Sequence, residues 1–374
     1  MTRPASTLVV PAQPDGAVDP GFWCDRRVLL TGHTGFKGSW LALWLQTLGA
    51  HVTGFSSGVP TRPALYELAR VGEGMESIEG DVRDFQALAD ALAHARAEVV
   101  IHMAAQSLVR RSFAEPRTTY EVNVMGTVNL LDAVRADGNV RVVVNVTSDK
   151  CYENREWEWA YREHEPMGGH DPYSSSKGCA ELVTGAFRRS FFDADEAPRL
   201  ASARAGNVIG GGDWGADRLI PDLMRAVFDG RAAHVRNPGS IRPWQHVLNP
   251  LGGYLALAQA LWSSEQFAGG WNFGPADDDA RPVRWIAQRI ADMWPSQLAW
   301  AEGDEPQRSV AHEARCLRLD SSRARSRLGW RPQWDLERGL EATVAWYRAL
   351  RAGEDMRAVT DAQIAVYEQA AAVR

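Results

Sequence analysis

Short runs of β-branched residues alternate with longer amphipathic stretches from Arg27 onward, and this alternation limits the possible folds more than any other feature. The runs are RVLL, HVTGF, EVVIH, VRVVVNV and LASARAGNV. Runs that are apolar at nearly every position are typical of parallel strands covered by helices on both faces. Strands separated by helices of about 10 to 15 residues form βαβ units. The sequence therefore predicts an α/β fold with a Rossmann-type, doubly wound parallel sheet.

The amino-acid composition changes after Gly206, where Gly, Trp, Pro and Arg become frequent. This change predicts a smaller C-terminal α/β lobe that binds the substrate. With 374 residues, 45% of them hydrophobic, the chain can bury a large core. We expect four parts, with 244–273 returning from the lobe to the sheet domain: a disordered tail at 1–21, the sheet domain at 22–206, the lobe mainly at 207–352, and a helical tail at 353–374.

Composition argues against several classes of protein. A net charge of −6 without a dense Lys/Arg block disfavours a nucleic-acid-binding surface. No apolar run reaches the roughly 18 residues that a membrane span needs. The cysteines lack CxxC or CxxH spacing, so neither a metal site nor a disulfide framework is expected, and a reducing cytoplasm fits best. The four cysteines are Cys24, Cys151, Cys179 and Cys316.

A glycine-rich turn, TGHTGFKG, follows the strand RVLL directly and opens the next helix. Glycine allows a tight turn and a close approach of the backbone to a pyrophosphate, whose charge is met by the helix N-terminus. The spacing is GxxGxxG rather than GxGxxG, and a plain structural turn is the alternative. The strand-turn-helix context favours a dinucleotide cofactor held by six residues: Gly32, Thr34, Gly35, Phe36, Lys37 and Gly38.

The residues after the second strand bear on which dinucleotide is bound. An acidic residue there usually holds the ribose 2′-hydroxyl of NAD, but HVTGFSSG has Ser56 and Ser57 instead. No arginine stands immediately beside them to meet the 2′-phosphate of NADP, although Arg62 is close in sequence. We expect NAD. Asp81 and Val82 follow the next strand, where the carboxylate is placed either to accept from the adenine amino group or to cap the following helix.

Tyr173 and Lys177 are four residues apart on a predicted helix, so they share one face. An ammonium beside a phenol favours the phenolate, which lowers the phenol pKa from about 10 and provides a base near neutral pH. A solvated helix face explains the same spacing. Before this helix, the strand VRVVVNV leads into TSDKCYENREW, which presents a hydroxyl, a carboxylate and an amine at Ser148, Asp149 and Lys150.

Several segments together resemble the extended short-chain dehydrogenase/reductase family. They are the glycine turn, HMAAQ at 102–106, the interval from Ser148 to Tyr173, and the YxxxK pattern. Within that family, four strings closely resemble the CDP-glucose 4,6-dehydratases: GHTGFKGSWLALWL, TSDKCYENREWEWAYREHEPMGGHDPYSSSK, RAGNVIGGGDW and RPWQHV. The resemblance extends over about 22–350, and it implies an NAD-binding sheet domain and a nucleotide-sugar substrate, CDP-glucose.

The resemblance also implies a reaction and a role for each catalytic candidate. The sugar is oxidised at C4, loses water across C5–C6 and is reduced at C6, which gives CDP-4-keto-6-deoxyglucose. Ser148 would hydrogen-bond the reacting oxygen, Tyr173 would be the base, and Lys177 would be its partner. Tyr173 and Lys177 would also contact the cofactor, with Lys177 holding the nicotinamide ribose. Asp149 would protonate the departing 6-hydroxyl. Lys150 would take the C5 proton, or it would only pair with a carboxylate or position the ketone, because a free lysine is protonated at pH 7.

Residues outside the catalytic group receive binding roles from the same resemblance. Ala104 and Ala105 of HMAAQ would contact the cofactor. Arg242 of RPWQHV would meet the substrate pyrophosphate, since a guanidinium fork suits phosphate oxygens; a surface ion pair is the alternative. Asn207 and Arg218 are further substrate-binding candidates. The family also implies a homodimer.

Two other functions stay open from the sequence. An epimerase or reductase of the same fold acting on nucleotide sugars has no need for Asp149, because epimerases resembling this chain carry small, non-acidic residues at that position. A non-catalytic, NAD-binding regulatory protein would keep the fold. Such a protein has no use for an activated phenol, so Ser148, Tyr173 and Lys177 argue against it.

Overall fold

The computed structural model describes residues 14–194, 196–294, 299–302 and 317–372. Cys316 and the first 13 residues of the predicted tail lie outside this part of the chain. The strands are β1 (Arg27–Thr31), β2 (His51–Ser56), β3 (Glu76–Glu79), β4 (Val99–His102), β5 (Val142–Val146), β6 (Arg199–Arg204), β7 (Val208–Ile209), β8 (Ala233–Val235), β9 (Ile241–Pro243), β10 (Gln245–His246), β11 (Gly269–Asn272), β12 (Ala280–Pro282) and β13 (Trp300–Glu302).

Helices separate most of the strands. They are α1 (Pro20–Trp23), α2 (Phe36–Thr47), α3 (Leu65–Leu68), α4 (Phe85–Ala95), α5 (Val109–Ala114), α6 (Pro116–Tyr120), α7 (Gly126–Ala136), α8 (Pro172–Ser190), α9 (Leu219–Phe228), α10 (Leu248–Ser263), α11 (Val283–Met293), α12 (Leu336–Ala352) and α13 (Met356–Ala372). Within the described ranges, no helix is long and apolar enough to cross a membrane.

The central sheet has seven parallel strands in the order β11-β6-β5-β4-β1-β2-β3. Val28 of β1 pairs with Val52 of β2 on one side and with Val99 of β4 on the other. The chain therefore winds outward from β1 in both directions. This reversal is the topological switch point, where parallel α/β sheets bind ligands beyond the carboxyl ends of their strands. The prediction of a Rossmann-type, doubly wound parallel sheet is confirmed.

Successive side chains of β1 point to opposite faces of the sheet. Val28 and Leu30 pack in one core with α2, α10 and α12, whereas Leu29 packs in a second core with α4 and α7. All three side chains are buried. The strands are apolar at successive positions because helices cover both faces.

Helix α2 is buried along most of its length because a further helix covers its outer side. Trp44 of α2 meets Tyr367 of α13 edge to face, with ring centroids 5.5 Å apart. The Trp44 indole N–H also donates to Glu368 Oε1 at 2.7 Å. The segment predicted as a helical tail at 353–374 thus forms a packing layer over α2, and residues 373 and 374 lie outside the described ranges.

The lobe after Gly206 contains three small two-stranded sheets, formed by β7 with β10, β8 with β13 and β9 with β12. Helices α9 and α11 pack beside β8. The chain then returns through α10 and adds β11 to the main sheet beside β6. One apolar core runs through both parts, since Trp271 of β11 and Trp244 of the lobe belong to the same buried cluster.

Residues 14–21 lie against the sheet domain, although they fall in the segment predicted to be disordered. The Asp19 backbone N–H donates to Gln259 Oε1 at 3.0 Å, and the Trp23 indole donates to the same oxygen at 2.7 Å. Gly16 packs closely on the Gly329 backbone. The prediction of disorder is wrong for residues 14–21. The residue that holds Asp19 lies 240 positions away in sequence, and local composition cannot indicate such a contact.

Three buried histidines make the fold sensitive to acid. Burial lowers the pKa of His33 to about 4 and the pKa values of His102 and His246 to about 3, from 6.5. The unfolded chain therefore binds more protons than the folded chain between about pH 6.5 and about pH 4 to 3, and stability falls as the pH falls through this window. We expect a lower midpoint of thermal unfolding near pH 5 than near pH 7, measured by circular dichroism.

The pH dependence should weaken in the double variant His33→Gln and His102→Gln, whatever its stability near pH 7. The matched control is His51→Gln, because the His51 side chain is 69% exposed. Equal midpoints for the unsubstituted protein at the two pH values would contradict the role given to the buried histidines.

Candidate active site

The carboxyl ends of neighbouring strands bring most of the predicted site residues to one edge of the sheet. The glycine turn follows β1, Ala104 and Ala105 follow β4, and the segment 147–150 follows β5. Because these strands are parallel, the three segments lie side by side over the switch point. Tyr173 and Lys177 reach the same edge from α8.

The glycine turn has a geometry that larger residues would block. Gly32 has φ +77°, and a Cβ there would lie 2.8 Å from the Ala104 nitrogen. A Cβ at Gly38 would lie 2.1 Å from the Gly32 carbonyl oxygen. Helix α2 begins at Phe36 with Gly35 as its N-cap, and no side chain of the described chain caps its first N–H groups. A close-packed turn before an uncapped helix N-terminus fits a dinucleotide pyrophosphate.

Neutral polar groups occupy the end of β2, where an acidic residue is usual. The Ser56 hydroxyl lies 3.1 Å from His33 Nδ1, and His33 Nε2 lies 2.7 Å from the Ser77 hydroxyl. The Tyr66 hydroxyl donates to Ser77 at 3.1 Å. The lowered pKa keeps His33 uncharged near neutral pH. The last residues of β2 themselves therefore offer hydrogen bonds from neutral groups.

Asp81 and Val82 lie beyond β3, apart from the catalytic candidates. The Asp81 carboxylate accepts from the Arg83 backbone N–H at 2.9 Å and from its guanidinium at 2.6 Å. Asp84, not Asp81, is the N-cap of α4 and accepts from the Ala87 N–H at 3.1 Å. The capping alternative for Asp81 is therefore wrong. Its carboxylate instead lines an open cavity of about 570 Å³.

Helix α8 places Tyr173 and Lys177 on the face that meets β5. Asp171 caps the helix by accepting from the Ser174 N–H at 2.9 Å. Tyr173 is 8% exposed and Lys177 is 6% exposed. The Lys177 ammonium lies 3.5 Å from the Val146 carbonyl oxygen, and burial lowers its pKa to about 8. The spacing of four residues therefore marks a buried face, and the solvated-face alternative is wrong.

The pKa of Tyr173 differs from the prediction. Burial raises it to about 12, which outweighs the lowering effects of the hydrogen bond with Ser148 and of the Arg218 charge. The Asp149 charge acts in the raising direction. The Lys177 ammonium lies against a backbone carbonyl instead of lowering this pKa. The expectation of a lowered phenol pKa is therefore wrong for this structure, because burial is the larger effect.

The residues Ser148, Asp149 and Lys150 form a tight turn directly after β5. Ser148 accepts from the Lys150 N–H at 3.2 Å and donates its own hydroxyl to Asp149 Oδ1 at 3.0 Å. Asp149 is 4% exposed. Burial raises the pKa of Asp149 above its usual range, against the positive charges of Lys150 and Arg242. A carboxyl group in such surroundings is suited to donate a proton.

Lys37 of the glycine turn lies among the catalytic candidates. Burial lowers its pKa to about 8, and the charges of Arg218 and Lys177 act in the same direction, whereas Asp149 opposes them. Its ammonium lies 5.9 Å from the centroid of the Tyr254 ring. The turn thus brings a cation to the reacting edge, which the motif alone does not indicate.

The three candidate substrate residues lie on the lobe side of Asp149. Arg218 precedes α9 and donates to both carboxylate oxygens of Asp213 at 3.1 Å. Arg242 lies in β9, and its charge lowers the pKa of Asp149. No carboxylate in the described ranges comes within ion-pair distance of Arg242, so a surface ion pair does not explain it. Asn207 lies in the half-buried loop between β6 and β7.

Asn123 is a candidate that the sequence does not reveal. It lies in the π-helical turn Glu121–Met125 and donates to the Gln106 carbonyl at 3.0 Å and the Ser176 hydroxyl at 2.8 Å. Its side-chain oxygen accepts from the Gln106 N–H at 2.8 Å. Asn123 therefore ties the loop after β4 to the helix of Tyr173. Single π-helical turns are frequent at functional sites, but a lone Asn in EVNVM has no recognisable spacing.

A buried ion pair lies behind the catalytic turn. Glu181 Oε2 and Arg204 Nη2 are 2.6 Å apart, and the two side chains are 4% and 5% exposed. Glu181 Oε1 accepts from the Thr147 hydroxyl at 2.5 Å, and Arg204 donates to the Tyr152 hydroxyl at 2.7 Å. The pair joins α8, β5 and β6 at the base of the turn. In the sequence, the only indication of this pair is that Glu181 follows Lys177 by four residues, as Lys177 follows Tyr173.

Known proteins resemble this chain over most of its length. The family model described as GDP-mannose 4,6 dehydratase matches residues 29–247. A CDP-glucose 4,6-dehydratase of Salmonella typhimurium is 51% identical over 358 residues, which cover 94% of this chain and 99% of the relative. A UDP-glucose 4-epimerase of Mycolicibacterium smegmatis is 29% identical, covering 86% of this chain and 98% of its own.

A crystal structure supports the same relationship. A dTDP-glucose 4,6-dehydratase of Streptomyces venezuelae, crystallised with NAD, superposes with a TM-score of 0.72 at 25% identity and covers 88% of this chain and 99% of its own. The family model spans more than half of the chain, and the Salmonella relative spans nearly all of it. The chain therefore belongs to the GDP-mannose 4,6 dehydratase family, within the extended short-chain dehydrogenases/reductases.

Proposed function

We propose that the protein catalyses the NAD-dependent dehydration of CDP-glucose to CDP-4-keto-6-deoxyglucose in deoxysugar biosynthesis. The observation that carries this proposal is the buried carboxyl group of Asp149 beside Ser148, at 3.0 Å. Loss of the 6-hydroxyl as water requires an acid next to the group that holds the sugar, and burial favours the protonated form of Asp149. The 51% identity to the Salmonella CDP-glucose 4,6-dehydratase supports the choice of substrate.

The first half of the proposed reaction oxidises C4. Tyr173 removes the proton of the 4-hydroxyl while Ser148 hydrogen-bonds the same oxygen. NAD, when bound, would supply the acceptor for the C4 hydride and the hydride donor for C6. Six residues of the glycine turn would hold it, together with Ala104, Ala105, Asp81, Val82, Tyr173 and Lys177. Because burial raises the pKa of Tyr173 to about 12, the phenol depends on a hydrogen bond and on neighbouring positive charge, which Ser148 and Arg218 supply.

The second half eliminates water. The 4-ketone makes the C5 proton acidic, Lys150 accepts that proton, and Asp149 gives its own proton to the departing 6-hydroxyl. Asp149 is left as a carboxylate and Lys150 as an ammonium, so the two charges balance. When hydride is returned to C6, Lys150 gives its proton back to C5, and the proton that Tyr173 took from the 4-hydroxyl restores the Asp149 acid by way of solvent.

The remaining proposals concern binding and assembly. Arg242 and Arg218 bind the substrate pyrophosphate, and Asn207 contacts the substrate. We also propose a cytoplasmic homodimer, supported by the exposed apolar side chain of Met125 near α8, which is 50% exposed. Light scattering of the gel-filtered protein should give twice the mass of one chain, and the mass of a single chain would rule the dimer out.

One incubation separates the proposed dehydratase from its rivals. The protein is mixed with CDP-glucose and NAD, and the products are analysed by mass spectrometry and NMR. We expect a product lighter than CDP-glucose by one water, with a ketone at C4 and a methyl group at C6. A C4 epimer of unchanged mass would overturn the dehydratase in favour of an epimerase. No conversion across a panel of sugar nucleotides would favour a cofactor-binding protein.

A further inference from the structure

A second cleft, which we name the basic cleft, lies on the far side of the Glu181–Arg204 ion pair from the catalytic turn. It has a volume of about 760 Å³, within the range of small-molecule sites. Its walls are the last turns of α8, the segment 162–164, the start of β11 and the segment 320–327. None of the catalytic candidates lines it, so it is a separate cavity.

The basic cleft has a surplus of positive charge. Of the residues that the structure describes, three carboxylates line it, Glu163, Glu181 and Asp320. Six arginines of the same described ranges also line it, which leaves a surplus of three positive charges among them: Arg162, Arg188, Arg189, Arg204, Arg323 and Arg327. A cleft lined by one sign of charge raises the local concentration of the opposite ion. This surplus stands out because the whole chain has a net charge of −6.

The three carboxylates of the basic cleft already have partners. Glu181 is held by Arg204 at 2.6 Å, and the Ser202 hydroxyl donates to it at 2.7 Å. Glu163 Oε1 accepts from the Asn272 N–H at 3.1 Å. Asp320 accepts from the Ser322 N–H at 2.7 Å and from Arg162 at 3.3 Å. Little carboxylate capacity is left to neutralise the other arginines.

Three guanidinium groups of the basic cleft have no acceptor among the residues that the structure describes. In the described ranges, neither a hydrogen bond nor an ion pair joins the side chains of Arg188, Arg189 and Arg327 to any residue. Burial and the Arg189 charge lower the pKa of Arg188, against the charge of Glu181. Burial lowers the pKa of Arg323, the Glu163 charge opposes this, and the charges of Arg327, Arg188 and Arg204 lower it further. The arginines thus repel one another, and the carboxylates offset this repulsion only in part.

Glycines let the guanidinium groups converge. A Cβ added at Gly185 would lie 3.5 Å from Arg189 Nη1 and 4.0 Å from Arg188 Nη2. Both guanidinium groups therefore lie close to the same glycine of α8. On the opposite wall, a Cβ at Gly269 would lie 3.4 Å from Arg323 Nη2. The Nε atom of Arg323 is also a buried donor without an acceptor in the described ranges. Arg188 and Arg189 therefore lie together on one wall of the basic cleft, and Arg323 lies on the opposite wall.

We propose that the basic cleft binds a small anion with a diphosphate group, at a site distinct from the catalytic pocket. Guanidinium forks match phosphate oxygens in pairs of parallel hydrogen bonds. A diphosphate carries about three negative charges near neutral pH, which equals the surplus in the cleft. The cavity is also large enough to hold a nucleotide around that group.

The test counts diphosphate sites on the full-length protein. NAD and excess CDP are present throughout, so that the cofactor and substrate pockets are occupied, and inorganic pyrophosphate is titrated by calorimetry. We expect one pyrophosphate to bind per chain. The double variant Arg188→Gln and Arg189→Gln should weaken this binding about a hundredfold, since it removes two charge-assisted contacts. Neither guanidinium is paired, so glutamine leaves no carboxylate without a partner, and dehydration without pyrophosphate should be unchanged.

A matched control removes two arginines from the end of another helix. Arg348 and Arg351 are exposed on the last turns of α12, outside the basic cleft, and their replacement by glutamine should leave pyrophosphate binding intact. Replacing pyrophosphate with CTP or ATP as the titrant distinguishes a nucleotide site from a site for free pyrophosphate, and either result supports the diphosphate chemistry. The proposal fails if the unsubstituted protein binds no pyrophosphate under these conditions.

A second measurement locates the bound anion directly. Phenylglyoxal modifies accessible arginines, and peptide mass mapping shows which ones react. Pyrophosphate should protect Arg188 and Arg189 and leave Arg348 and Arg351 reactive. Equal reaction of all four with and without pyrophosphate would place any bound anion elsewhere and overturn the proposal. Neither outcome depends on dehydratase activity, so failure here is distinguishable from failure of the proposed function.

Discussion

Replacing Tyr173 with Phe should reduce dehydration of CDP-glucose by about 10²- to 10⁴-fold, the usual contribution of a positioned acid or base. The substitution removes only the hydroxyl of a buried side chain and its hydrogen bond with Ser148, so folding should be preserved. Without the base, C4 is not oxidised. We therefore expect no accumulation of reduced nicotinamide, measured by its near-ultraviolet absorbance, as well as no product.

The matched control for this variant is Tyr254→Phe. Tyr254 is fully buried near the same site, and its hydroxyl has no hydrogen-bond partner in the described ranges. Loss of that hydroxyl leaves the ring beneath Lys37 unchanged, so activity should change little. If Tyr173→Phe retained the activity of Tyr254→Phe, Tyr173 would not be the base.

Replacing Asp149 with Asn should separate the two halves of the reaction. The amide has nearly the same shape but no proton to donate to the 6-hydroxyl, so elimination should slow by about 10²- to 10⁴-fold. Oxidation at C4 needs Tyr173 instead and should proceed. We therefore expect reduced nicotinamide to build up after CDP-glucose is added, with little 4-keto-6-deoxy product. This pattern is the opposite of that expected for Tyr173→Phe.

The pH dependence of elimination provides a further check on Asp149. An acid must be protonated to act, so the rate of elimination should fall as the pH rises past the raised pKa of the carboxyl, and the Asn variant should lose this dependence. Asp361→Asn on α13, far from the catalytic turn in sequence and paired with Arg357, serves as the control. Unchanged elimination in Asp149→Asn, followed with labelled substrate, would remove Asp149 from the acid role.

Local sequence was sufficient to predict the sheet, the glycine turn and the shared face of Tyr173 and Lys177. Each follows from a short-range rule: apolar runs from burial on both faces, glycines from close backbone packing, and a spacing of four from the helix period. The structure shows why glycine is needed in this turn, because a Cβ at Gly38 would collide with the Gly32 carbonyl.

Properties that depend on distant partners were not predictable. The pKa of Tyr173 is raised because burial outweighs its charged neighbours, and the depth of burial is set by the whole fold. Asn123 acts through Gln106 and Ser176, and Ser176 is 53 positions away. The surplus of arginines in the basic cleft comes from segments that are separate in sequence. In each case the property depends on contacts between residues that are far apart in sequence, and a local sequence pattern does not indicate such contacts.

The place of β11 in the sheet has a consequence for how the protein emerges from the ribosome. Strand β11 pairs with β6, yet residues 205–268 lie between them in the chain. Until Asn272 has been synthesised, β6 remains an open edge, and such edges pair readily with other chains. Trp271, which is fully buried in the finished core, is missing over the same interval. The nascent chain is therefore expected to need protection by chaperones until β11 has been translated.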